Sequence, residues 1–237
     1  MYQVKLKYIL SLWLLVMSGT TAFSMNHRRA FGDDWREAET YVKEHRGEWR
    51  QTFDDFEVDA AMAEAIVFPE LIRYNRWQDE IESAAVTALY VSGGRQQSNF
   101  SIGRFQMKPS FAEDVEKDWN RSPLAQTYDF VFDTHDTSTA RRYRVKRLGT
   151  IQGQCRYLAI FIRLQQLRHP ELKKCSKKEQ VHYLATLYNR SYAASWQELE
   201  RLSHEKHFHT DVIKTRRTHL YRYPDIAVEY YRGVASF

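Results

Sequence analysis

A chain of 237 residues with 43% hydrophobic side chains is long enough for one domain, or one and a half, around a sizeable core. A formal charge of +5 and 27% charged residues describe a soluble chain. No basic run is dense enough to mark a nucleic-acid interface, so none is expected. Aromatic residues are plentiful, with 15 Tyr, 13 Phe and 6 Trp; such rings serve core packing first and flat sugar-binding platforms second.

At the N-terminus, Lys5 and Lys7 precede an apolar run from Tyr8 to Met17, followed by small residues and an Ala22-x-Ser24 site. That order predicts a cleaved secretory signal over residues 1–24, with an apolar run too short for a comfortable membrane span. The mature chain is therefore expected in the periplasm or secreted, at a charge of about +3 once the two Lys are lost, with no stable membrane insertion. In that oxidising setting Cys155 and Cys175 permit one disulfide, and two buried thiols remain the alternative.

Residues 32–56 place Trp35, Ala38, Tyr41, Val42, Trp49, Phe53 and Phe56 along one side of a polar helix, expected to form an N-terminal arm or cover spanning 25–57. Residues 58–68 are Ala-rich and apolar on most sides, which predicts a buried helix that stops or kinks at Pro69. Glu70 follows among Phe68, Leu71 and Tyr74. Desolvation there disfavours the charged form, so Glu70 is a candidate proton donor to a leaving oxygen. A plain surface pair with Arg73 or Arg76 is the alternative.

A helix over 77–91, closed by Ser92-Gly93-Gly94, leads through a polar loop into Phe100-Ser101-Ile102-Gly103-Arg104-Phe105-Gln106-Met107-Lys108-Pro109-Ser110-Phe111. This stretch reads as a short extended piece whose Ser101, Gly103 and Gln106 are suited to lining a cleft. A helix start follows, with Ser110 and Glu113 as a capping box, and that helix runs to about Trp119. Residues 120–139 are expected as a long surface segment bordering a groove. The run Arg141–Arg147 reads as a solvated charged face, with an anionic polymer as the alternative partner. Gly149 to His169 forms a strong apolar helix, and residues 177–189 form another that delivers Tyr188 and Asn189 at its C-terminal end. His204, His207 and His209 lie close in sequence without H-E-x-x-H spacing, so no metal is expected.

An Ala-rich helix, Glu70, then Ser-Ile-Gly-Arg-Phe-Gln-Met-Lys-Pro-Ser-Phe, an apolar helix, and Leu-Ala-Thr-Leu-Tyr-Asn make an order of parts that resembles the lytic transglycosylase domain of soluble lytic transglycosylases and goose-type lysozymes. The resemblance spans about residues 58–195. It implies a mainly α, lysozyme-like helical domain over 58–237, with a small extended element lining the cleft. It also implies Glu70 as the catalytic acid and Ser101, Gly103, Phe105, Gln106, Tyr188 and Asn189 as substrate contacts. The substrate would be peptidoglycan glycan strands, with no cofactor. The one acid would protonate the glycosidic oxygen and then deprotonate the muramoyl 6-hydroxyl, giving a 1,6-anhydro end.

The sequence also departs from that pattern. Leu71 stands where the family has Ser, Phe105 replaces Met, Arg190-Ser191 replaces Ala-Gly, and the gap from Glu70 to Gly103 is long. Glu82-Ser83 reproduces the family's Glu-Ser pair and makes Glu82 the runner-up, although Glu82 falls in mid-helix. A muramidase on the same fold and a catalytically inactive glycan-binding or scaffold protein remain as alternatives.

Overall fold

The computed structural model describes residues 26–77, 84–211 and 213–235, and the chain is mainly α-helical over these. The predicted signal at 1–24 and Glu82 lie outside the described residues. Among the described residues no helix is long and apolar enough to cross a membrane.

The helices are α1 (His27–Phe31), α2 (Asp33–Asp55), α3 (Ala60–Trp77), α4 (Ala84–Gly93), α5 (Pro109–Arg121), α6 (Pro123–Thr127), α7 (Ser138–Leu148), α8 (Ile151–Arg168), α9 (Lys177–Asn189), α10 (Trp196–Ser203) and α11 (Tyr223–Val234). At the centre stands α3, packed against α2, α8, α9 and α11. Every residue from Met62 to Ile72 is buried, two glutamates included. A helix apolar on all sides has to sit inside a bundle, and the Ala-rich composition lets neighbouring helices approach it closely.

Pro69 neither stops this helix nor marks its end, contrary to the sequence reading: α3 runs on to Trp77. Proline deprives the ladder of one N–H, and the buried surroundings offset that loss. The carbonyl that loses its helical donor is that of Ala65; the next one, of Ile66, accepts from the buried Tyr223 hydroxyl at 2.8 Å. Glu70 is thus in mid-helix, and the helix-end argument that ranked it above Glu82 does not hold.

The segment expected as an arm is α2, and its aromatic side enters the same core. Trp35 meets the Phe68 ring edge-on at 4.7 Å, and Trp49 meets Phe105 at 5.2 Å. The extended element is reduced to a single antiparallel bridge, Ile102 with Met107, closed by N–H···O bonds of 2.9 and 3.1 Å. No capping box forms behind it. Lys108 is the N-cap of α5, the Ser110 N–H donates to Asn99 Oδ1 at 3.3 Å, and Glu113 accepts from the Tyr90 hydroxyl at 2.7 Å. Both cysteines are free thiols. Cys155 lies near the start of α8 and Cys175 beyond its end.

The surface segment 120–139 is pinned. The Asn120 side chain brackets Phe132, donating to its carbonyl at 2.8 Å and accepting from its N–H at 2.9 Å, while Trp119 Nε1 donates to the Phe130 carbonyl at 3.0 Å. The arginine run is no solvated face either, because helical spacing turns Arg141 and Arg144 inward while Arg142 and Lys146 stay exposed. Arg144 Nη2 reaches Glu116 Oε2 at 2.6 Å and Arg147 Nη2 reaches Glu116 Oε1 at 2.6 Å. The Tyr157 hydroxyl also donates to Glu116. With Glu116 fully buried, removing it strands two guanidiniums. Glu116→Ala should therefore destabilise the fold by roughly 3–5 kcal/mol, measured by urea unfolding.

Candidate active-site cleft

A cleft of about 460 Å³ opens where α3, the 102–107 bridge, the start of α5, the end of α9 and the strand-like turn at 207–209 converge. Glu70, Gln106, Tyr188 and Asn189, all named from sequence, line it together. Lys108, Arg73, Arg190, His207 and His209 line it as well, and sequence reasoning assigned none of them there. The two histidines came to notice only as a metal question; among the described residues no group of His, Cys, Asp or Glu is arranged to hold a metal ion.

The two buried acids of α3 differ in how they are satisfied. Glu64 takes a bidentate pair from Arg46, Nε at 2.8 Å and Nη2 at 2.7 Å. That arrangement meets both carboxylate oxygens and reads as structural. Glu70 is equally deep, yet no hydrogen bond among the described residues reaches its Oε2. Arg73 Nη1 lies 3.1 Å from that oxygen as an ion pair, out of line for a hydrogen bond. Burial pushes the Glu70 carboxyl above the ordinary glutamate value, and it outweighs Arg73, the hydrogen-bonding Asn189 side chain and Lys108, which all favour the charged form.

Arg73 is itself held in place. Its Nε donates to the His209 carbonyl at 3.1 Å, and its guanidinium lies 4.3 Å from the Phe208 ring centre. The antiparallel bridge between Phe208 and Tyr221 fixes that turn.

The wall opposite Glu70 is set by the 102–107 loop. Gly103 sits at φ +66°, where L side chains are strained, and a Cβ there would lie 2.0 Å from Gln154 Nε2. Gln154 needs that space. From α8 its Oε1 accepts from the Phe105 N–H at 2.8 Å, and its Nε2 donates to the Leu148 carbonyl at 2.8 Å. Gln106 also adopts a positive φ, 51°, and its side chain donates to the Gly103 carbonyl at 2.9 Å. Strain of this kind at a non-glycine residue persists where the surroundings over-determine it. From the far side, the Tyr188 hydroxyl donates to the Phe105 carbonyl at 2.6 Å.

Three expected contacts fall away. The Phe105 side chain is fully buried against Trp49, so only its backbone serves the site. Ser101 and Gly103 do not line the cleft. Gly103 shapes the loop instead, and Ser101 precedes it as a half-buried residue. Arg104 is not among the residues lining the cleft, and its guanidinium lies 4.4 Å from the Tyr41 ring centre and 4.3 Å from that of Tyr74.

The raised Glu70 pKa has a stability consequence with a definite sign. Below the usual glutamate value of 4.5, the carboxyl is mostly protonated in both folded and unfolded chains and costs little. As pH rises, the unfolded chain ionises first, so stability falls until the folded carboxyl ionises too. Glu70→Gln should therefore melt higher than the native protein at pH 8, with the gap closing toward pH 4, in thermal melts across that range.

No known family model, curated protein or solved structure matches this chain, so the geometry of the cleft carries the functional argument.

Proposed function

We propose that the chain cleaves peptidoglycan glycan strands between N-acetylmuramic acid and N-acetylglucosamine, as a lytic transglycosylase that uses Glu70 as its only acid and base. The observation that carries this reading is a fully buried carboxyl, held toward its protonated form by desolvation, that lines an open polar cleft. Such a group can deliver a proton to a glycosidic oxygen at neutral pH.

The one other carboxyl lining the cleft among the described residues is Asp114, ion-paired with Arg95 at 2.9 Å. That pairing leaves Glu70 alone for proton transfer and favours a one-carboxyl mechanism over the two-carboxyl hydrolysis of most glycosidases. After protonating the leaving oxygen, Glu70 as carboxylate would take the proton of the muramoyl 6-hydroxyl while that oxygen attacks C1. The substrate's own N-acetyl oxygen would stabilise C1 in between. Gln106 and Asn189 offer amide groups to the sugar hydroxyls or N-acetyl group, and Tyr188 holds the loop that presents Gln106. A peptidoglycan substrate agrees with the export expected from residues 1–24, since the polymer lies outside the cytoplasm.

One observation favours the inactive, glycan-binding reading. Arg73 at 3.1 Å favours the Glu70 carboxylate, the form that cannot donate a proton. Products separate these readings. On purified sacculi analysed by mass spectrometry, 1,6-anhydro ends are expected; reducing ends would indicate a muramidase, and intact sacculi with well-folded protein would indicate a binding module. Glu70→Gln should lower cleavage by at least about a hundredfold, the low end for losing an acid/base group. Arg73→Gln should move the alkaline limb of the rate profile to higher pH, because removing the adjacent charge makes Glu70 a weaker acid.

A further inference from the structure

At the cationic end of the cleft, Arg190 and His207 have no role in the proton transfers just described. Arg190 follows Asn189 directly at the end of α9 and lines the same cleft as Glu70. Its Nη2 pairs with Glu205, but Glu205 is shared with Arg201, so one carboxylate serves two guanidiniums. Arg190 Nε is buried with no hydrogen-bond partner among the described residues. An unpaired buried guanidinium donor is expensive unless something arrives to accept from it.

Next to it lies the bridge at Phe208 and Tyr221. Strand-like alternation turns Phe208 inward, fully buried, and leaves His207 and His209 on the cleft side. Lys108 completes this rim from the start of α5, with its side chain exposed. Burial, followed by the charges of Arg190, Lys214 and His209, holds His207 below its ordinary value, with Glu205 opposing. Arg190, Lys108 and His207 thus bring basic side chains together along one part of the cleft lining. Each of the two carboxyls lining the cleft among the described residues has its own cation, Asp114 with Arg95 at 2.9 Å and Glu70 with Arg73 at 3.1 Å.

We infer that the Arg190, His207 and Lys108 end of the cleft receives a carboxylate carried by the glycan beside the bond that is cut. This deepens the peptidoglycan reading and rests on it. Two parts of such a strand carry the required group: the lactyl carboxylate of muramic acid where the peptide is absent, and the carboxylates of the stem peptide where it is present. Arg190 stands where the resembled family has Ala, so the residue that departs from the motif is the one that supplies the anion-binding donor.

Equilibrium binding to the Glu70→Gln protein, which should not turn over its ligand, tests the inference with three probes. These are a neutral N-acetylglucosamine hexamer, peptide-free glycan strands, and strands bearing stem peptides. Carboxylate-bearing strands should bind roughly ten- to a hundredfold tighter than the neutral hexamer, the scale of a charge-assisted hydrogen bond. An added Arg190→Gln change should remove most of that preference and flatten its salt dependence, leaving the neutral hexamer as before. Lys108→Gln, at an exposed side chain, should reduce the preference in part and gives a second reading should Arg190→Gln fail to fold. A preference already present with peptide-free strands identifies the lactyl group; one confined to stem-bearing strands identifies the peptide. Equal binding of neutral and acidic probes, or an equal loss for all three on Arg190→Gln, overturns the carboxylate site alone. Failure of the folded protein to bind any of the three overturns the glycan reading and the carboxylate site with it.

Discussion

The structure depends on one costly placement, a carboxyl in the middle of a helix that has no solvent-facing side. Each flank of α3 is covered, by α2, by α11, or by α8 and α9, so Glu70 has no route to bulk water except the cleft. The two forces on it are similar in size. At 3.1 Å from Arg73, and at an effective dielectric of about 20, the attraction is about 5 kcal/mol. Desolvating a carboxylate costs several kcal/mol. Neither effect dominates by a wide margin, which is how a single neighbour such as Arg73 or Lys108 tunes the group.

The rest of the site is built to hold a wall at a fixed distance from that carboxyl. Two backbone groups of Phe105 do most of the fixing: its N–H is taken by Gln154 from α8, and its carbonyl by Tyr188 from α9. The Phe105 ring anchors the loop from beneath, against Trp49 of α2. Three helices distant in sequence thus converge on one residue whose side chain never meets the cleft. This explains how a turn with positive φ at both Gly103 and Gln106 is tolerated, and how the segment expected as an arm or cover contributes to the core.

The sequence made the helices legible wherever burial follows a simple period. The apolar face of α8 and the delivery of Tyr188 and Asn189 by α9 could be read from spacing alone. Glu70 was legible as an acid set among Phe68, Leu71 and Tyr74 just past an Ala-rich apolar run, although that reading put it at the helix end. What escaped reading was decided by partners distant in the chain. Pro69 looked like a helix end because propensity is local, whereas the packing that carries α3 through it is not. Arg144 looked solvated because its buried partner Glu116 lies 28 residues away. Phe105 looked like a sugar contact because the motif places it beside Gln106, and only the pleat of the bridge shows that it turns inward. Gln154 gave no sequence signal, since a glutamine on an apolar helix becomes informative only when the glycine it presses against is known.

The opposition between burial and charge at Glu70 is also what a two-stage proton transfer requires. A group that must first donate needs its acid form favoured in the resting site, and desolvation supplies that. The same group then has to exist as a carboxylate long enough to accept a proton from a sugar hydroxyl. Arg73, Asn189 and Lys108 favour that second form and gain strength only once the charge has developed. Had both Glu70 oxygens been met by a guanidinium, as those of Glu64 are by Arg46, the carboxylate would be favoured from the start. Had it been buried without Arg73 and Asn189, the carboxylate left by the first step would have no partner. Read as a resting structure, the ion pair at 3.1 Å counts against an acid; in the proposed reaction it stabilises what the acid becomes.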